Sequence, residues 1–276
     1  MKIAAYQLLT SEQVEQNLEQ VVAGIETAAQ QDVQILAFPE GCLFGYCCRQ
    51  DYWEQMHPSV FETVEAEIGN LCQTHRIAVV IGSASFENGA WYNDLAIFDQ
   101  DGSLRHRYAK TFLAGEKWCQ NSREKLPIVD LAGVACCFII CHDVRYPELV
   151  RLPAAMGAQI CIFCSCESSL LSEHKLSAYR AMPISRATEN SIYLLMANTP
   201  GNPQNLADPG SSHGNSKIVA PDGNVIDEAG YFENRLVSAK IDLSRSTASA
   251  PKRVCQEETI LRDWFQQGVS DLVIRI

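Results

Sequence analysis

The sequence predicts an α/β fold, a four-layer α-β-β-α sandwich of two related halves. Three observations predict it. Short apolar runs alternate with stretches of helical periodicity. The order strand–helix–strand–helix–strand–hairpin runs once and then recurs. The chain has 276 residues, 47% of them hydrophobic, enough for a large core. Two sheets that each carry helices on one face bury their bare faces against each other, which gives the four layers. The halves then share one core, so residues 1–276 read as a single domain.

Taken in order, "KIAAYQLL" is a buried strand. Val14, Leu18, Val21, Val22, Ile25 and Ala28 follow at helical spacing, with Ser11 placed to cap the helix. "VQILAFPE" is a second apolar strand ending at Pro39 and Glu40, "SVFETVEAEIGNLCQTH" a second helix and "IAVVIGSAS" a third strand. "WYNDLAIFDQDGSLRHRYAK" reads as a hairpin turning at Asp101 and Gly102. In the second half "GVACCFIICHD" is a strand, "YPELVRLPAAMGA" a helix and "AQICIFCSCE" a strand. "SEHKLSAYRAMPISRATEN" is helical with a disturbance expected at Pro183. "SIYLLMANTPG" is a strand broken at Pro200, and "NSKIVAPDGNVIDEAG" a hairpin turning at Asp222 and Gly223. The tail, about residues 245–276, ends apolar and is expected to pack on the core or on a partner subunit.

Composition removes several function classes. Net charge is −11, which leaves no basic footprint for nucleic acid. No apolar run approaches the ~20 residues of a membrane span. The start, "MKIAAYQLLTSEQVEQ", lacks the pattern of a secretory signal. Twelve cysteines, many inside apolar runs such as "VACCFII", read as buried hydrophobes in a reducing cytoplasm. Cys161, Cys164 and Cys166 do not make a zinc site, because strand alternation puts Cys161 on the opposite face from the others. A phosphatase loop would need Arg where Pro147 stands, and His142 with Asp143 lacks the further His ligands of a metal hydrolase.

Three strand ends carry the chemistry. "LAFPE" places Glu40 just past a strand, "RHRYAKTFLAGE" places Lys110 past a hairpin strand with Glu116 six residues on, and "FIICHD" places Cys141 at a strand-to-helix turn. Groups at the ends of neighbouring strands converge on one site. A helix start near Tyr146 and Pro147 and a nearby Lys favour the thiolate. A carboxylate can take the thiol proton and return it to a leaving amine. Lys110 and the backbone N–H of His142 would hold an oxyanion. Such a set suffices for acyl transfer from nitrogen. Tyr46, Trp118, Glu167, Ser168 and His174 flank these loops and are candidate pocket residues. Asn198 is placed either for a hydrogen bond near the site or for a turn before Pro200. Arg145 and Glu148 read as braces of the nucleophile turn, and Asp143 with them.

The chain resembles the nitrilase, or carbon–nitrogen hydrolase, superfamily, in its amidase-like branch. "FPEG" matches the glutamate motif at Glu40, "KTFLAGE" the lysine motif at Lys110 with the second glutamate Glu116, and "CHDVRYPE" the nucleophile motif at Cys141. "ANTPG" and "HGNSKIVAPDG" resemble later signatures, and the motifs keep the family's order along nearly the whole chain. His142 stands where the family usually has an aromatic residue, and Asn215 where it often has a small residue or His. The resemblance implies a cytoplasmic amidase that releases ammonia through a cysteine thioester, with catalytic Glu40, Lys110 and Cys141 and supporting Glu116 and His142. It implies no metal or organic cofactor, a small-molecule amide or carbamoyl substrate, and a homodimer or higher homo-oligomer. An N-carbamoyl hydrolase is the next reading and a nitrilase the third. A scaffold with a retired site is the reading outside enzymes.

Overall fold

A computed structural model describes residues 1–122, 124–167, 176–207 and 211–276. Two sheets lie face to face. The first has the order β12-β1-β2-β3-β4-β5, formed by β1 (Lys2–Gln7), β2 (Ile35–Ala37), β3 (Ala78–Glu87), β4 (Ala90–Phe98), β5 (Leu104–Ala109) and β12 (Arg235–Lys240). The second has the order β11-β10-β9-β8-β7-β6-β13, formed by β6 (Leu126–Leu131), β7 (Val134–Ile140), β8 (Ile160–Ser165), β9 (Tyr193–Asn198), β10 (Lys217–Val219), β11 (Val225–Glu228) and β13 (Val273–Arg275).

In each sheet three parallel strands are followed by an antiparallel pair: β1-β2-β3 then β4 and β5, and β7-β8-β9 then β10 and β11. β7, β8 and β9 are buried at every position, as strands covered on both faces must be. Side chains alternate across the first sheet. Ile3, Ile35, Val80, Leu95 and Ile97 face the second sheet, where they share one cluster with Val129, Phe138, Ile139 and Ile162. Ala4, Leu36, Val79 and Ile81 face the other way, against α1 (Val14–Ala29) and α3 (Ser59–His75) through Val21, Ile25, Phe61 and Ile68. On the far side α4 (Glu148–Ala155) and α5 (Leu176–Thr188) cover the second sheet. The four layers are therefore those the sequence predicts.

Several elements differ from the sequence reading. Gln13, not Ser11, is the residue ahead of α1, and the Ser11 hydroxyl accepts from the Gln13 N–H at 3.2 Å. β3 runs on to Glu87 and turns at Asn88 and Gly89, both at positive φ. A short α2 (Gln50–Gln55) precedes α3. α5 continues through Pro183. The tail folds back on its own chain: α6 (Ser249–Gln256) and α7 (Arg262–Leu272) pack on α4, and β13 extends the second sheet beside β6.

Candidate active site

Glu40 leaves the end of β2 in a tight loop that holds Gly41, Gly45 and Tyr46 at positive φ. The loop lies directly on β3. The Gly82 N–H donates to the Pro39 carbonyl at 3.1 Å, and the Leu43 N–H donates to the Gly82 carbonyl at 3.1 Å. A β-carbon on Gly82 would meet Gly41 N and Pro39 O at 2.3 Å, so only glycine lets the loop rest there. The Glu40 carboxylate is then fully committed. Oε1 accepts from Lys110 Nζ at 2.7 Å and from Asn93 Nδ2 at 2.8 Å, and Oε2 accepts from the Cys166 N–H at 2.9 Å.

Lys110 follows β5 and is fully buried. Its ammonium bridges Glu40 and Glu116, reaching Glu116 Oε1 at 2.5 Å. Glu116 is positioned in turn by the Tyr46 hydroxyl at 2.8 Å and the Ala114 N–H at 2.5 Å. Burial works against the Lys110 charge, but Cys141, Glu40 and Glu116 around it hold its pKa well above the ordinary lysine value. Burial also raises Glu40 above the usual carboxylate range despite Lys110. Burial works the same way on Glu116, yet there Lys110 prevails and holds the carboxyl below that range.

Cys141 opens a 3₁₀ turn, Cys141–Arg145, at the end of β7, with φ at +46°, a left-handed conformation that costs a residue with a side chain. Asp143 braces that turn. Its Oδ1 accepts from the Phe112 N–H at 2.8 Å, and its Oδ2 accepts from the Ile140 N–H at 3.1 Å and the Tyr108 hydroxyl at 2.9 Å. The expected thiolate is not what this setting favours. α4 begins only at Glu148, and burial together with Glu40 pushes the Cys141 thiol well above its ordinary pKa. Cys141 therefore rests as a thiol.

Above the sulfur lies a pocket of about 120 Å³, walled by Tyr46, His142, Arg145, Glu167 and Tyr179. Its volume is below the ~300 Å³ where drug-sized sites begin, so it suits a small substrate. Arg145 does not brace the turn as expected. It is exposed at the pocket, with its guanidinium 5.2 Å from the Tyr179 ring centroid and its Nε 3.3 Å from the Tyr179 hydroxyl. Glu167, just past β8, places Oε1 3.8 Å from Cys141 Sγ. Trp118 is corrected: it stacks on Trp53 with centroids 3.7 Å apart in an aromatic cluster with Phe44, outside the pocket. Asn198 does not wall the pocket either. It fixes the loop, accepting from the Glu167 N–H at 3.3 Å and donating to the Gly214 carbonyl at 2.7 Å. Ser168 and His174 lie outside the described residues. Among the described residues no group of three or more His, Cys, Asp or Glu is placed to hold a metal ion. None of their helices is long and apolar enough to cross a membrane.

Sequence reading missed Asn93, Tyr179 and the Cys166 N–H as parts of the site. Asn93 carried a signal, since it shares the inward face of β4 with Leu95 and Ile97. A polar residue in that file needs a buried partner, which is Glu40.

The family model for carbon-nitrogen hydrolases matches residues 2–250. The chain belongs to the carbon–nitrogen hydrolase family. As a carbon–nitrogen hydrolase it is an enzyme that cleaves amide C–N bonds. Among curated relatives, it is 28% identical over 217 residues to a 2-oxoglutaramate amidase from Bacillus subtilis (strain 168), covering 77% of this chain and 79% of that protein. It is 26% identical over 262 residues to an omega-amidase from Homo sapiens, covering 88% and 89%. Among solved structures, an amidase from Nesterenkonia sp. matches at 26% identity and a TM-score of 0.76, covering 90% of this chain and 94% of that one. A mutant of the Nesterenkonia sp. AN1 amidase, with the acetamide moiety of fluoroacetamide added covalently at its active site cysteine, shares the fold at a TM-score of 0.81 and 24% identity, covering 96% of both chains.

Proposed function

We propose that this hydrolase releases ammonia from a small primary amide whose far end carries a carboxylate. The observation that carries the reading is the meeting of Glu40, Lys110 and Cys141 beneath one small pocket rimmed by Arg145. In this reading the Cys141 thiol gives its proton to Glu40 as the sulfur attacks the amide carbon. Lys110 and the His142 N–H stabilise the oxyanion. Glu40 passes the proton to the amide nitrogen, the C–N bond breaks and ammonia leaves a thioester. Water then gives a proton to Glu40 and adds to the thioester. The C–S bond breaks, the acid departs and the sulfur regains its proton. Glu116 holds Lys110 in place between the two carboxylates.

Arg145 supports the anionic far end. It is the guanidinium at the pocket rim, 5.2 Å from the Tyr179 ring centroid, and a guanidinium fork matches a carboxylate. An ω-amide has such a carboxylate opposite its amide, which agrees with the names of the two curated relatives. The absence of a disulfide among the described cysteines supports a cytoplasmic setting, and the apolar face of α7 supports a homodimer.

The test measures ammonia release from succinamate and from uncharged butyramide, with carbon dioxide release from N-carbamoylglycine as a third arm. Cys141→Ala should abolish all turnover, and full residual activity would sink the nucleophile assignment. Arg145→Met should raise KM for succinamate by about 10–100-fold, equivalent to ~1.4–2.7 kcal/mol, and leave butyramide nearly unchanged. Equal losses on both substrates would remove Arg145 from recognition.

A further inference from the structure

Glu167 is a third carboxyl in a site whose chemistry requires only Glu40 and Glu116. It is 5% exposed, and among the described residues its Oε1 is one of two acceptors within reach of the resting thiol, at 3.8 Å, the other being the Cys166 carbonyl at 4.0 Å. Its place is fixed from both ends. The Ser165 hydroxyl donates to the same Oε1 at 3.3 Å, and the Glu167 N–H is held by Asn198.

Charge decides its protonation state. Among the described residues Lys110 is the buried ammonium of the site, and Glu40 and Glu116 already share it. Those two carboxylates leave the cluster one negative charge in excess. A further carboxylate beside the sulfur would add a second charge away from water, and a developing thiolate a third. Arg145 stands across the pocket but is exposed to solvent, so it compensates little. Among the described residues Tyr179, Tyr46, His142, Ala114 and Cys166 also line the pocket, and Tyr179 brings only a hydroxyl. Burial and the neighbouring Glu40 accordingly raise the Glu167 carboxyl to about 8, with Lys110, Ser165 and Cys141 acting weakly the other way.

Resting on the assignment of Cys141 as nucleophile, we propose that Glu167 takes part in the reaction as a neutral carboxylic acid whose O–H turns to the Cys141 sulfur whenever that sulfur carries charge, so that loss of this proton switches the enzyme off. In the resting state the thiol S–H points at Oε1. When Glu40 removes the thiol proton, the carboxylic O–H becomes the donor to the sulfur, and it does so again when the thiolate leaves the thioester. No proton is consumed, because Glu167 keeps its own throughout. Ionised Glu167 offers repulsion in place of that hydrogen bond.

The sign follows from which form works. Protonated Glu167 is the active form, so activity holds below about pH 8 and falls above it, by ~tenfold per pH unit for a single ionisation. Glu167→Gln keeps a neutral donor at the same reach. It should retain at least about a third of the wild-type rate on succinamate at pH 7 and stay flat to about pH 9.5. Glu167→Ala should lose at least about tenfold at pH 7. Independently of any substrate, site-resolved mass spectrometry of iodoacetamide alkylation at pH 9 should show Cys141 reacting several-fold faster in Glu167→Gln than in wild type. An alkaline decline unchanged in Glu167→Gln, equal alkylation rates at pH 9, or a wild-type profile flat from pH 7.5 to 9 would each overturn the proposal. Cys141→Ala separates the two ideas. Full activity in that variant sinks the nucleophile assignment itself, whereas a Cys141-dependent enzyme with an unchanged alkaline decline sinks only the role of Glu167.

Discussion

Lys110 shows how tightly single side chains depend on one another here. Its ammonium is the counter-charge of two buried carboxylates, and each of those has further partners that fix its position. Removing one member of such a set leaves buried charge uncompensated, at a cost of about 3–5 kcal/mol. Lys110→Met should therefore abolish turnover and also lower Tm by on the order of 10 °C. Without the ammonium, the Glu40 and Glu116 carboxyls have folded pKa values above their unfolded ones. Their protonated forms then favour the native state at low pH, and that contribution fades as pH rises. The Tm deficit should accordingly be smaller at pH 5 than at pH 8, and Glu116→Gln added to Lys110→Met should recover part of it. A deficit independent of pH, read by calorimetry, would mean the loss is one of packing rather than charge. The convergence of Glu40, Lys110, Cys141 and Glu116 was legible because strand ends and motif spacing announce it. Arg145 was misread, because sequence adjacency to Cys141 does not say which way a side chain leaves a 3₁₀ turn. Trp118 was misread for a similar reason: it lies two residues from Glu116, yet its ring finds Trp53 and Phe44.

At the scale of elements, the site depends on how closely backbones approach. Gly82 sits in mid-strand with the Glu40 loop lying on it. Gly82→Ala should push that loop outward, and a displacement of about 1 Å at a catalytic group costs on the order of 10²-fold in rate. Gly89 makes the contrast. It sits at φ +81° in the β3–β4 turn with nothing within 4 Å of an added β-carbon. Gly89→Ala should cost roughly 1 kcal/mol of stability through its backbone alone, with kcat unchanged. Comparable rate losses in the two variants would refute the special role of the loop contact. The long apolar strands and α3 were visible in sequence because each is specified by its own residues, and α3 spans the stretch read as a helix. β6, an inner strand beside β7, was not, nor were the edge strand β12 and the pairing of the edge strand β13. β12 pairs antiparallel with β1, Lys240 facing Lys2, and β13 pairs with β6. Edge strands of this kind are selected by partners distant in sequence, for which a local pattern carries no signal. The Asn88–Gly89 turn had a signal of its own, but the apolar run before it drew the strand too short.

At the scale of the whole molecule, the two halves exchange strands, and this locks the site. β6 follows the first half yet pairs with β7 of the second, while β12 follows the second half and pairs with β1 of the first. Glu40 and Lys110 come from one half and Cys141 and Glu167 from the other, so this cluster exists only when the sheets are packed. The most exposed large apolar side chains cluster in the tail. Ile260 is 99% exposed, Trp264 58% and Leu261 51%, all at or just before α7. α7 packs on α4, and α4 follows the Cys141 turn, so a second copy seated on α7 would support that turn from behind. Light scattering should give twice the 30.6 kDa chain mass at micromolar concentration. Trp264→Glu should shift that mass to the monomer, because a charge buried without a partner at an interface costs several kcal/mol. The same variant should lower Tm in a concentration-dependent way, since association stabilises only the folded chain. A wild-type mass of one chain at these concentrations would leave the tail as a cover for its own core and nothing more.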